Sequence, residues 1–181
     1  MNEIFTNTEY WNSINELYNK SKEYLLYIEE YDVDHYTVIQ PIKEQRDALD
    51  HIMKAYSIGS QINNLSCNVN SLQEDLHREL DKAKGHLTRA LNDCADILSI
   101  ILREKISVYL CDFKYKQIVS VWSNYPKKRE FLIDVDEEIA KIRNRGYGIK
   151  DDIIDRYDDI IKELLAIYKK ISKEIYPKLS E

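Results

Sequence analysis

From Gly85 to Pro126 the chain contains neither glycine nor proline between those two residues. From shortly before Gly85 and on through this region apolar residues return at three- and four-residue intervals: Leu76, Leu80, Ala83, Leu87, Ala90, Leu91, Cys94, Ile97, Leu98 and Ile101. The spacing continues weakly through Ile106, Val108 and Leu110. That period is the signature of an amphipathic helix, and nothing in the stretch would stop one. It predicts one long helix, or two nearly collinear ones broken near Cys111 to Lys114. A chain built around such an element has little room for a sheet. Four glycines and three prolines in 181 residues extend the argument to the rest of the sequence.

On either side the pattern is also helical. Trp11, Ile14, Leu17, Tyr18, Tyr24, Leu25, Ile28 and Tyr31 form a first stripe, with Thr6 and Glu9 spaced as a capping box before it. Asp32 to Asp34 interrupt the stripe and predict a loop. A second helix, starting either near His35 with a kink at Pro41 or at Pro41 itself, covers PIKEQRDALDHIMKAY, residues 41–56, where Ile42, Gln45, Leu49, Ile52, Met53 and Tyr56 share one face. Its end is expected near Ser57 to Gly59. The uncharged, Ser- and Asn-rich Ser57 to Asn70 then reads as a mobile connection, and Ser71 with Glu74 as a capping box opening the long helix.

After it, Lys114 to Asn124 and Lys128 to Arg145 read as shorter helices. A final helix from about Lys150 to Tyr176 has acidic residues at its start and lysines near its end, complementing the helix dipole. The expected fold is therefore all-α: an antiparallel bundle of five to six helices around one long central helix, in a single domain over residues 1–181.

Composition narrows the function. A net charge of -6 does not offer the broad positive footprint of a duplex-binding protein. Cys67, Cys94 and Cys111 lack CxxC spacing, and Cys94 falls on an apolar stripe as a small hydrophobe. The first residues, MNEIFTNTEYW, show no basic segment followed by an apolar run, so no signal peptide is expected. The most apolar segment, Ala95 to Leu102, is shorter than the ~20 residues a membrane helix needs. A cytoplasmic protein with no membrane partner and no cofactor is the expectation.

Arg46 and His51 carry the most chemistry-like pattern. An arginine can hold a phosphate, and a histidine can move a proton near neutral pH. Attack of a ribose 2′-OH on its phosphate needs those two capabilities. At ~100° per residue the two side chains leave the helix about 140° apart, so another helix or a partner chain must complete a site. Asp47 and His51 lie four apart, but no second such pair accompanies them, and no metal site is expected. Local pairing of Arg46 with Asp50 and of His51 with Asp47 would account for the same residues as an ordinary helix surface.

Lys82, His86, Arg89, Asp93 and Asp96 make a polar stripe on the long helix. If that stripe meets residues 41–56, the two His/Arg sets line one groove, so His86, Arg89 and Asp93 join Asp47 and Asp50 as supporting residues. Arg143, Arg145 and Tyr147, in a sequence ending on two glycines, are candidate RNA contacts, with Tyr147 as a stacking platform.

The Arg–Asp–…–His spacing resembles the R-x4-6-H motif of the HEPN superfamily of small all-helical proteins, over Gln45 to Met53. The resemblance implies a bacterial toxin or anti-phage defence protein that cleaves RNA without metal. It implies Arg46 as the phosphate-holding residue, His51 as the proton-transferring one, and a homodimer. The motif lies here in the second helix, whereas the family commonly carries it at the start of a late one. A non-catalytic helical interaction or regulatory module, acting through a protein partner, is the competing expectation.

Overall fold

A computed structural model describes residues 8–32, 38–64, 69–144 and 151–180. The described residues are helical almost throughout: α1 (Thr8–Tyr31), α2 (Ile39–Asn64), α3 (Val69–Leu110), α4 (Tyr115–Val121), α5 (Tyr125–Asn144) and α6 (Asp151–Lys170). A π-helical turn (Ile171–Ile175) then leads into α7 (Tyr176–Ser180). The fold is all-α, and its long central helix is α3, with 42 residues. Contacts divide the chain into two compact units. The first comprises residues 1–27 and 34–94, the second residues 28–33 and 95–181.

In the first unit the core is built on α3, whose Leu76, Leu80, Ala83, Leu87 and Ala90 are essentially inaccessible. Helix α2 meets this core through small side chains. Pro41, Ala48, Ala55 and Ile62 recur every seven residues and are all buried. Alanine at the contact lets two helix axes approach at the short end of the usual ~8–10 Å range. From α1 come Ile14, Leu17 and Tyr24, with buried Ser21 accepting a 3.0 Å hydrogen bond from Gln45 Nε2. The Ser21 hydroxyl itself donates to the Tyr18 carbonyl, so this buried polar pair is satisfied.

Two expectations about the α2–α3 connection are corrected. Ser57 to Asn64 is helix, and Gly59 and Ile62 are buried. The polar, uncharged composition misled because α2 needs only its seventh-residue line to be apolar or small. Ser71 and Glu74 lie inside α3, which begins at Val69, so they do not cap its start. Thr6, His35 and Cys67 lie outside the described residues.

In the second unit Leu98, Leu102 and Ile106 of α3, Val135 and Ile139 of α5, and Ile161, Leu164 and Ile167 of α6 form the core. The α3–α4 break falls at Cys111 to Lys114, the second of the two readings that the sequence leaves open. There Gln117 Oε1 accepts the Lys114 backbone N–H at 2.8 Å, satisfying a donor at the start of α4. Near the C-terminus the Tyr176 N–H bonds the Ile171 carbonyl, five residues back. Pro177 follows, and a proline has no N–H and crowds the carbonyl four residues earlier, so the wider turn accommodates it. Tyr168 and Tyr176 both contact Tyr109, with ring centroids 6.0 and 5.0 Å away, and Tyr31 packs edge-on to Tyr168 at 5.1 Å.

Candidate functional site

Within the first unit, α2 and α3 present polar stripes to each other along one edge of their contact. On α2 the stripe is Glu44, Asp47 and His51; on α3 it is Glu79, Lys82, His86 and Arg89. Both follow the three-four spacing that keeps residues on one helix face. The helices run antiparallel, so Glu44 meets His86 while His51 meets Glu79. Direct hydrogen bonds between these side chains join the two helices.

His51 Nδ1 lies 2.6 Å from Glu79 Oε2, and His86 Nδ1 lies 2.8 Å from Glu44 Oε2. The two imidazoles stack, with centroids 5.2 Å apart and planes inclined by 20°. Both carboxylates are largely withdrawn from solvent, with side-chain exposures of 11% for Glu79 and 13% for Glu44. A carboxylate at Nδ1 fixes the tautomer: Nδ1–H donates to it, and Nε2 becomes the basic nitrogen. Arg89 Nε also donates to Glu44 Oε2, at 2.8 Å. Its Nη2 sits 2.7 Å from His86 Nδ1 and, because that nitrogen's proton is directed at Glu44, acts there as a neighbouring charge.

The carboxylates respond to these partners. Lys82, then His51, hydrogen-bond Glu79 and together overcome its partial burial, lowering its pKa from 4.5 to about 2. At Glu44 burial opposes ionisation, but hydrogen bonds from His86 and Arg89 outweigh it and hold the group below its ordinary value. Both remain ionised acceptors across the neutral range.

Arg46 and His51 are not brought together within the chain. Arg46 projects outward and donates through Nε and Nη2 to the adjacent Asp47, at 3.0 and 2.6 Å. That guanidinium is the main cause of Asp47's lowered pKa, and the charges of His86 and His51 act on the carboxyl in the same direction. Asp47 therefore links Arg46 to the imidazole pair electrostatically. The local pairings expected from sequence are corrected: Asp50 binds Lys54 at 2.6 Å, one turn along, rather than Arg46. His51 binds Glu79 rather than Asp47, because the α3 stripe offers it a more buried carboxylate.

His86 and Arg89 of the supporting set join His51. Asp50 does not, and Asp93 is half-buried next to Cys94. Burial, reinforced by the Asp93 charge, pushes the Cys94 thiol up to about 12 and leaves it a packing residue. Arg143 lies near the end of α5 with its side chain outside the described residues, as are Arg145 and Tyr147 entirely. Among the described residues no group of three or more His, Cys, Asp and Glu side chains is arranged to hold a metal ion. No described helix is long and apolar enough to cross a membrane.

Glu44 and Glu79 are the residues that sequence reading missed. The signal was present: each lies on the same stripe as a histidine, at helical spacing. Comparison with protein families, with curated proteins and with solved structures finds no match to this chain.

Proposed function

We propose that the chain is a HEPN-like helical protein of bacterial toxin or anti-phage defence type that cleaves RNA without metal, acting as a cytoplasmic homodimer. The observation that carries the reading is the stacked His51–His86 pair, each imidazole held through Nδ1 by its own glutamate. Cleavage of a ribose phosphodiester needs one group to remove a proton and one to deliver a proton, close together. One neutral imidazole takes the 2′-OH proton at Nε2 as O2′ attacks phosphorus. The P–O5′ bond breaks, and the other imidazole, protonated, delivers its proton to O5′. The products are a 2′,3′-cyclic phosphate and a free 5′-hydroxyl. Arg46, which lies on the same helix as His51 and pairs with Asp47, holds the phosphate with its remaining N–H donors, and Arg89 adds positive charge beside His86.

The test is RNA cleavage in the presence of EDTA by the wild type and by Arg46→Ala, His51→Ala and His86→Ala, all checked for folding. The reading expects loss of about 10²–10⁴-fold for each histidine variant. Cleavage surviving both histidine substitutions, or a wild type inert on varied single-stranded RNAs, would refute it.

A second reading, a non-catalytic interaction module, is favoured by a different observation. Helix α2 turns Ile39, Ile42, Leu49, Met53 and Tyr56 outward, all exposed. On that reading the imidazole–glutamate seam serves only to fix the α2–α3 register.

A further inference from the structure

Around the circumference of α2, the Pro41–Ala48–Ala55–Ile62 line is buried and the Glu44–His51 edge faces α3. The side away from both is apolar. Ile39, Ile42, Leu49, Met53 and Tyr56 are 68, 46, 57, 57 and 64% exposed. With Arg46, these residues step along the helix by three, four, three, four and three. That repeat is the one by which two helices interlock as knobs into holes, and it runs for almost five turns. A single chain gains nothing by presenting it to water, since such a patch marks an interaction surface. Toward α1 the stripe continues into a groove walled by Trp11, Ile14 and Tyr18.

We propose that a second copy of this chain covers the stripe, α2 against α2, antiparallel about a two-fold axis at the level of Asp47 and Ala48. The spacing reads the same in both directions, so the antiparallel register brings every stripe residue to a counterpart. Ile39 meets Tyr56 of the second copy, Ile42 meets Met53, and the Arg46 stem lies over Leu49. A parallel in-register pairing would instead set Arg46 against Arg46.

Charge complementarity selects the same arrangement. Lys43 and Asp50 are exposed, seven residues apart, and flank the stripe on the side away from α1. The antiparallel register places Lys43 beside Asp50 of the second copy, and the symmetry repeats the pair. This shares with the cleavage reading the association of two copies and Arg46, whose stem packs in the stripe while its guanidinium stays at the solvent edge. A dimer without cleavage, or cleavage without a dimer, separates the two.

Sedimentation of the full chain over the micromolar range tests the proposal. The wild type is expected to dimerise, and Leu49→Lys and Met53→Glu each to give monomers with unchanged helical circular dichroism. Lys43→Glu and Asp50→Lys each place like charges together twice in their own dimers, and each is expected to weaken association about tenfold. Mixed one to one, these two variants form a pair in which both contacts are attractive, and association should return to near the wild-type level. A wild type monomeric throughout, a dimer indifferent to Leu49→Lys, or a mixture associating no better than its components would each overturn the proposal.

Discussion

Glu79 accepts from His51 on α2 and from Lys82 on its own helix, each at 2.6 Å, so one carboxylate ties the two helices and orients an imidazole. Replacement by glutamine keeps the volume and removes the charge. Glu79→Gln is expected to destabilise the fold by about 1.5–3 kcal/mol, the range for hydrogen bonds to charged groups. Urea unfolding followed by circular dichroism measures it; an unchanged midpoint would show that the contact contributes little.

The same carboxylate sets a pH dependence. Unfolded, Glu79 takes up a proton near 4.5; folded, it resists until about 2. Between those values the unfolded chain binds more protons, so stability rises with pH through this window and is complete above it. Glu44, also lowered, adds to the effect with the same sign. Unfolding midpoints collected from pH 5 downward should fall in the wild type and fall less steeply in Glu79→Gln. Parallel curves for the two proteins would contradict the assignment.

Ala48 of α2 and Ala83 of α3 are buried small side chains of the first unit, with exposures of 1% and 0%. Ala48→Leu is expected to cost about 1–3 kcal/mol through overpacking. It should also push His51 away from Glu79 and so weaken RNA cleavage more than a change in the second unit matched to it by measured stability, chosen between Ile167→Val and Ile167→Ala. Equal losses of activity from the two would mean that helix spacing does not matter to the site.

Thiol labelling should separate the cysteines. Cys111 is exposed and Cys94 is buried, with its thiol pushed up to about 12. In a Cys67→Ser background, one thiol is expected to react rapidly in the native protein and the second only on unfolding. Two fast thiols would show that the core around Cys94 opens readily.

The sequence made the long helix legible, because it follows from local pattern and from the absence of glycine and proline, but that same absence left its break at Cys111 to Lys114 as only one of two readings. It misread α2. The large residues Ile42, Leu49, Met53 and Tyr56 define the most conspicuous apolar face, yet that face is exposed, and Pro41, Ala48 and Ala55 are buried instead. Size-weighted patterning favours bulky side chains, whereas a close helix contact selects small ones. The candidate site was half legible. His51, His86 and Arg89 stand out by residue type, but the glutamates that orient the histidines lie 28 and 42 positions away in the chain. Only the pairing of two helices reveals them.

The π-helical turn at Ile171–Ile175 has a consequence for the aromatic residues on either side of it. Eight residues of regular α-helix would leave Tyr168 and Tyr176 rotated by about 80° from each other. The wider turn advances less per residue, and both rings reach Tyr109. The turn thus acts as a phase correction written into the backbone. Forcing these same residues into regular α-helix would swing Tyr176 about 80° away from Tyr109, a frame error in three dimensions that leaves every side chain's identity intact, whereas deleting one residue leaves seven steps, about 700°, and keeps the two rings on one face.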